Sequence, residues 1–163
     1  MNGIALILRV LHDGETELAE GLLATARRHR AEHEIFHVST DLARWSREHA
    51  QRIADAIEPD DHACLEEADG PHSDLVPRWQ NREPRPGQGC YEPGLMLLRD
   101  LRDLHLGASA NSLYWEMLAQ AAQARTEARL LSLVSTCHPQ TLRQMRWTNT
   151  MIKNLAPQLL TSL

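Results

Sequence analysis

Leucine and isoleucine recur at three- and four-residue steps over the start of the chain. Ile4, Leu8, Leu11, Leu18 and Leu22 form one such stripe, and that period puts them on one side of a helix. Glu15 falls on the same stripe, between Leu11 and Leu18. A second helix is predicted from about Ile35 to Ile57, with Val38, Leu42, Trp45, His49, Ile53 and Ile57 on its apolar side. Neither Gly nor Pro separates the two segments, and the turn between them is placed near Glu32.

The pattern changes at Glu58. The stretch "EPDDHACLEEADGPHSDLVPRWQNREPRPGQGCYEPG", Glu58 to Gly94, holds six of the eight prolines. It is neither a long helix nor a central strand. A connection of this length inside a compact domain is uncommon and needs a reason. Disorder is one. The other is geometric: the segment runs the length of a bundle and starts the next helix at the opposite end. Leu75, Val76, Trp79 and Tyr91 favour a segment laid on the surface.

Helical periodicity then resumes. Leu98, Leu101, His105, Ala108, Ser112, Trp115, Ala119 and Ala122 form one stripe, and Leu131, Val134, His138, Leu142, Met145, Ile152 and Leu155 another. A break near Arg125 to Glu127 separates them. Pro139 inside the last helix removes one hydrogen bond, frees the carbonyl of Ser135 and predicts a kink. A five-helix version, with a fresh helix at Pro139 or a break at Gly107, is the alternative to four long helices. Four are favoured. The echo of "LHDG" at Leu11 by "LHLG" at Leu104 is the strongest trace of an internal repeat.

Composition agrees with an all-α chain. The 163 residues are the size of one domain, 1–163, with residues 58–94 as a crossover segment. Alanine, leucine, arginine and glutamate are abundant; valine, isoleucine and aromatics are few. A net charge of −5 leaves no basic footprint for nucleic acid. Lys153 is the lone lysine, a bias that reads as codon usage. No apolar run reaches the length of a membrane span, and the N-terminus lacks the basic start and cleavage site of a signal peptide. Cys64, Cys90 and Cys137 form no CxxC pair. They are expected to be reduced in a cytoplasmic protein.

Two helices joined tightly, a long crossover, then two more is the connectivity of ferritin-like bundles. Two short motifs bear on this. "SREH" is Ser46 to His49 and "STCH" is Ser135 to His138, both S-x-x-H, each in the second helix of its half. The chain thereby resembles the ferritin-like superfamily. Its di-iron members carry Glu on the first and third helices and Glu-x-x-His on the second and fourth. The resemblance implies a metal-ligand set of Glu15, His49, Glu116 and His138, with Ser46 and Ser135 where the bridging glutamates would stand. Serine is a poor iron ligand, so di-iron oxidation chemistry is not expected. Two His and one or two Glu still suit a single transition metal such as Fe, Mn or Zn. A homodimer or larger oligomer is also implied by the resemblance.

Each of these residues has a plainer reading. A lone histidine on an apolar stripe is ordinarily a core residue whose ring nitrogens find backbone or hydroxyl partners. Ser46 and Ser135 can bond back to their own helices. Glu15 is harder to set aside, because a carboxylate on a core face is costly unless paired. His105 shares a stripe but lies about two turns from the level of His138. A haem between helices would need an apolar slot, which Trp45 and Trp115 more simply fill. His29, His33 and His37 share a face only if the helix is unbroken; a turn there makes them a solvated helix end. The arginines of "TARRHRAE" and Arg44, Arg47 and Arg52 read as solvated surface. Cys137 and His138 are sequence neighbours, not an oriented pair. No phosphate loop and no G-x-S-x-G elbow is present.

Two functions follow. The favoured one is a ferritin-like bundle without an intact di-iron centre, holding no cofactor and acting as a binding or interaction module. The alternative is a metal-binding redox or stress-related protein with a mononuclear or altered dinuclear His/Glu site. Whether the chain is an enzyme is left open, and no feature of the sequence names a protein partner.

Overall fold

The computed structural model describes residues 3–57 and 92–162. They form four helices: α1 (Gly3–Arg28), α2 (His33–Ala56), α3 (Pro93–Ala124) and α4 (Ala128–Thr161). This is an all-α four-helix fold. No helix among the described residues is long and apolar enough to cross a membrane. The stretch between α2 and α3, with the surface anchors expected at Leu75, Val76, Trp79 and Tyr91 and with Cys64 and Cys90, lies outside the described residues.

The helices begin and end close to where their periodicity does. The α1–α2 turn covers 29–32, closed by His29 N–H to Thr25 O and Glu32 N–H to His29 O. It splits the His29, His33, His37 series: His29 is buried, while His33 and His37 are exposed in the first turns of α2. Pro93 opens α3 at a position where its missing N–H costs nothing. The α3–α4 turn is closed by Thr126 in the left-handed region, φ 55°. Both α3 and α4 are continuous. Gly107 does not break α3, and Pro139 and Pro157 are accommodated inside α4. The four-helix version therefore holds.

The α1–α2 and α3–α4 hairpins pack most extensively, α1 lies against α3, and α2 packs more lightly against α4. Three apolar clusters run along the axis. Leu8, Leu11, Ile53, Trp115, Leu118, Leu130 and Val134 pack at one end. Leu18, Leu22, Leu42, Leu104 and Ala108 pack in the middle. Ile35, Leu97, Leu101 and Met151 pack at the other end. Ile57, packed against the first cluster, and Leu97, in the third, place the end of α2 and the start of α3 at opposite ends of the bundle.

The α1–α3 contact is built on small residues. A side-chain carbon added at Gly14 would run into Asn111 Oδ1, and one added at Gly107 would meet Leu18 at 3.7 Å. Each glycine thus faces the residue four positions after the other, Asn111 after Gly107 and Leu18 after Gly14. The "LHDG" and "LHLG" echo marks this approximately two-fold helix crossing.

One face was expected elsewhere. The apolar stripe of α4 is not what it buries. Leu142 is 44% exposed, and His138 is only half-buried. The buried face is Leu130, Val134, Cys137, Thr141, Gln144, Thr148 and Met151, displaced by about one residue and rich in small polar side chains. Those polar side chains line the functional core.

Candidate functional site

Glu15 is fully buried, held on the inner side of α1 by the phase it shares with Leu8, Leu11, Leu18 and Leu22. Every other helix reaches it. From α3, Trp115 donates its indole N–H to Glu15 Oε1 at 3.0 Å. From α4, the Thr141 hydroxyl donates to the same oxygen at 3.4 Å. From α2, His49 Nδ1 stands 3.3 Å from Glu15 Oε2. That last approach is off the hydrogen-bond axis, and neither atom has another hydrogen-bond partner.

The other side of the imidazole is anchored. His49 Nε2 lies 2.7 Å from Gln140 Oε1. A carbonyl oxygen accepts, so Nε2 carries the proton. Facing a carboxylate with Nδ1 is then favourable only when Nδ1 is protonated too. Burial is the largest influence on the His49 pKa and pulls it down. The Glu15 carboxylate and the Gln140 carbonyl together outweigh it, and the net direction is upward from 6.5. Geometry and the upward direction both favour the protonated imidazole, which makes the two side chains, 0% and 1% exposed, a buried carboxylate–imidazolium pair when His49 carries its second proton. The edge of the ring packs on Trp115, centroids 6.0 Å apart at 84°.

A second layer continues the polar core. Gln144 Nε2 donates to Ser46 Oγ at 2.9 Å and to Leu42 O at 3.1 Å. Ser46, Thr141 and Gln144 are all buried to 1% or less. Ser46-x-x-His49 on α2 thus faces Thr141-x-x-Gln144 on α4. Burial and Glu15 push the nearby Cys137 thiol up to about 12, against a pull from Arg52. A thiol so protonated is no nucleophile at neutral pH.

The four residues implied as metal ligands are not brought together. Glu15 and His49 meet. His138 turns to Ser112, Nε2 to Oγ 2.9 Å, off the bundle centre. Glu116 is exposed on the outside of α3, because its neighbour Trp115 takes the inward direction and successive helical side chains diverge by about 100°. Ser135 is also exposed and bonds back to Ser132 O. Among the described residues, no three His, Cys, Asp or Glu are placed to hold one ion. The donor set present does not fit a di-iron centre. Gln140, Thr141 and Gln144 escaped sequence reasoning, and Trp115 was placed on the inner stripe of its helix as a space-filling residue, not as a donor to Glu15. The one legible signal for Thr141 and Gln144 was that Thr141-x-x-Gln144 repeats the spacing of Ser46-x-x-His49.

A separate buried charge cluster sits at the α1–α2 turn. Asp100 of α3, 6% exposed, takes Arg28 and His29 on Oδ2, His29 Nε2 at 2.8 Å. Arg99 approaches Oδ1 at 3.5 Å. Burial is the largest influence and raises the Asp100 pKa, but His29 and Arg28 together lower it below 3.8. His105, half-buried on α3, is satisfied by Thr148 Oγ1 at 2.9 Å.

Fold and site define a class: a four-helix bundle whose centre is a buried polar network instead of an apolar seam. Set against known protein families, curated proteins and solved structures, the chain matches none at a significant level.

Proposed function

We propose that the chain is a ferritin-like helical bundle without an intact di-iron centre, serving as a binding or interaction module. A Glu15–His49 ion pair takes the place of the metal. One observation carries this reading: protein donors from three other helices, Trp115, Thr141 and His49, converge on the Glu15 carboxylate. A carboxylate so surrounded has its charge balanced by the imidazolium, without a metal ion. The connectivity, with α2 ending and α3 starting at opposite ends, supports the ferritin-like part of the reading. The resemblance alone assigns no reaction.

One observation favours the alternative, a metal-binding redox or stress-related protein. Glu15 Oε2 and His49 Nδ1 are both without hydrogen bonds and 3.3 Å apart, a separation two ligands of one small ion can have. Imidazole anchored through its far nitrogen is also how ligating histidines are held.

Elemental analysis of protein purified without a His-tag separates the two, with thermal melts in the presence and absence of chelator. The module reading expects no stoichiometric metal and identical melts. Fe, Mn or Zn near one per chain, lost in the His49→Ala variant, would replace it with the alternative.

A further inference from the structure

The third helix is apolar on two opposite sides. Its inner side buries Leu101, Leu104, Trp115 and Leu118. Its outer side carries Leu106, Leu113 and Met117, exposed at 38%, 56% and 49%. Their spacing of seven and four residues keeps them within about 40° of one another around the helix. Leu142 of α4, 44% exposed, stands at the same level of the bundle. The His138–Ser112 and His105–Thr148 bonds set the α3–α4 register and put Leu142 level with Ser109 and Ala110. Ser109 and Ala110 are small, so another helix can approach closely at the middle of the stripe. A helix apolar all round is normally covered all round.

The charges select what covers it. Arg102 and Glu116 lie seven residues to either side of Ser109, on one flank of the stripe. Among the described residues Glu116 makes no ion pair. Among the described residues Arg102 pairs with its neighbour Asp103, at 2.7 Å on the surface, an exposed contact of little strength. The pattern is self-complementary, basic before the centre and acidic after it.

We propose that this face docks a second copy of the chain, with α3 antiparallel to α3 about a two-fold axis at Ser109–Ala110. Leu106 of each copy meets Leu113 of the other, and Arg102 of each meets Glu116 of the other. A two-fold axis makes both contacts twice from one surface. A parallel arrangement would set Arg102 on Arg102 and Glu116 on Glu116, which disfavours it. The pairing does not depend on whether the core holds a metal.

Sedimentation velocity of the full chain over a wide concentration range tests this. A monomer–dimer equilibrium is expected. Arg102→Glu alone and Glu116→Arg alone should each weaken the dimer at least tenfold. Their equimolar mixture should restore it, because in the mixed dimer each introduced charge faces its opposite. That recovery also requires both variants to be folded. Leu113→Asp should give monomer, while Leu160→Asp, elsewhere on the surface, should not. A wild-type monomer at every concentration would overturn the proposal and leave the face to a different protein. So would a dimer indifferent to Leu113→Asp, or a mixture that stays monomeric.

Discussion

Trp115 on α3 donates its indole N–H to Glu15 on α1 at 3.0 Å, across 100 residues of sequence and with both side chains fully buried. The bond holds one carboxylate oxygen in place and leaves the other to His49. It thereby ties the first hairpin to the second through a charged group, where an apolar contact would have sufficed for cohesion alone.

Removing that charge should be expensive. Glu15→Gln keeps an acceptor for Trp115 but leaves His49 buried without its counter-charge. The expected loss is about 3 kcal/mol, the usual cost of orphaning one member of a buried pair. Urea denaturation measures it. His49→Gln should cost a similar amount, and the double variant clearly less than the sum of the two, since both remove one interaction. Additive losses would show that the two side chains act independently.

The pair also sets a pH dependence. The folded-state pKa of His49 is raised above its unfolded value of 6.5. Its contribution to stability is therefore fully present below about pH 6.5 and lost as pH rises through the folded pKa. Wild-type stability measured by denaturant titration from pH 6 to 9 should carry this alkaline loss. In His49→Gln that component should vanish. A variant whose pH profile parallels the wild type would refute the assignment of the charge to His49.

Asp100 works in the opposite sense. Its pKa is lowered below 3.8, so its contribution is present above about pH 3.8 and lost as pH falls through the folded value. Asp100→Asn should remove about 2 kcal/mol at neutral pH, in the range for hydrogen bonds to charged groups. It should also loosen the α1–α2 turn, where Arg28 and His29 sit. Amide hydrogen exchange would report faster opening of residues near His29, with the Glu15 level of α1 unchanged.

Gly14 should resist the substitution that helix propensity favours. Alanine within a helix ordinarily gains about 1 kcal/mol over glycine. Here its methyl would collide with the buried Asn111 side chain, and overpacking of that kind costs about 1–3 kcal/mol. Gly14→Ala should therefore lower the melting temperature, and adding Asn111→Ala should recover part of the loss. A stabilised Gly14→Ala would mean that Asn111 moves aside freely.

Much of the fold was legible in the chain. The α1 stripe and the turns near Glu32 and Arg125–Glu127 follow from local rules, whereas Pro139 left a kinked helix and a fresh one both open, and the structure carries α4 through it. Glu15 could be singled out because a carboxylate among regularly spaced leucines has to be buried and has to be paired. His49 stood beside it in the ligand set that the resemblance implied. The α4 face was misjudged because its apolar residues and its buried residues differ. Leu142 and His138 were chosen for their place in an apolar series, yet Thr141, Gln144 and Thr148 are the ones that turn inward. They do so because each meets a polar partner there: Thr141 meets Glu15, Gln144 meets Ser46 and Thr148 meets His105.

Periodicity, turn chemistry and the cost of a lone buried charge are properties of short stretches, so the sequence by itself determined an all-α chain, the turns near Glu32 and Arg125–Glu127 and the burial of Glu15. Which residues surround that carboxylate is a matter of how the hairpins rotate against each other. A rotation of one residue, about 100° on a helix, exchanges Leu142 for Thr141. Only the tertiary structure decided that rotation, because it depends on packing Gly14 against Asn111 and Gly107 against Leu18, contacts between residues about ninety positions apart.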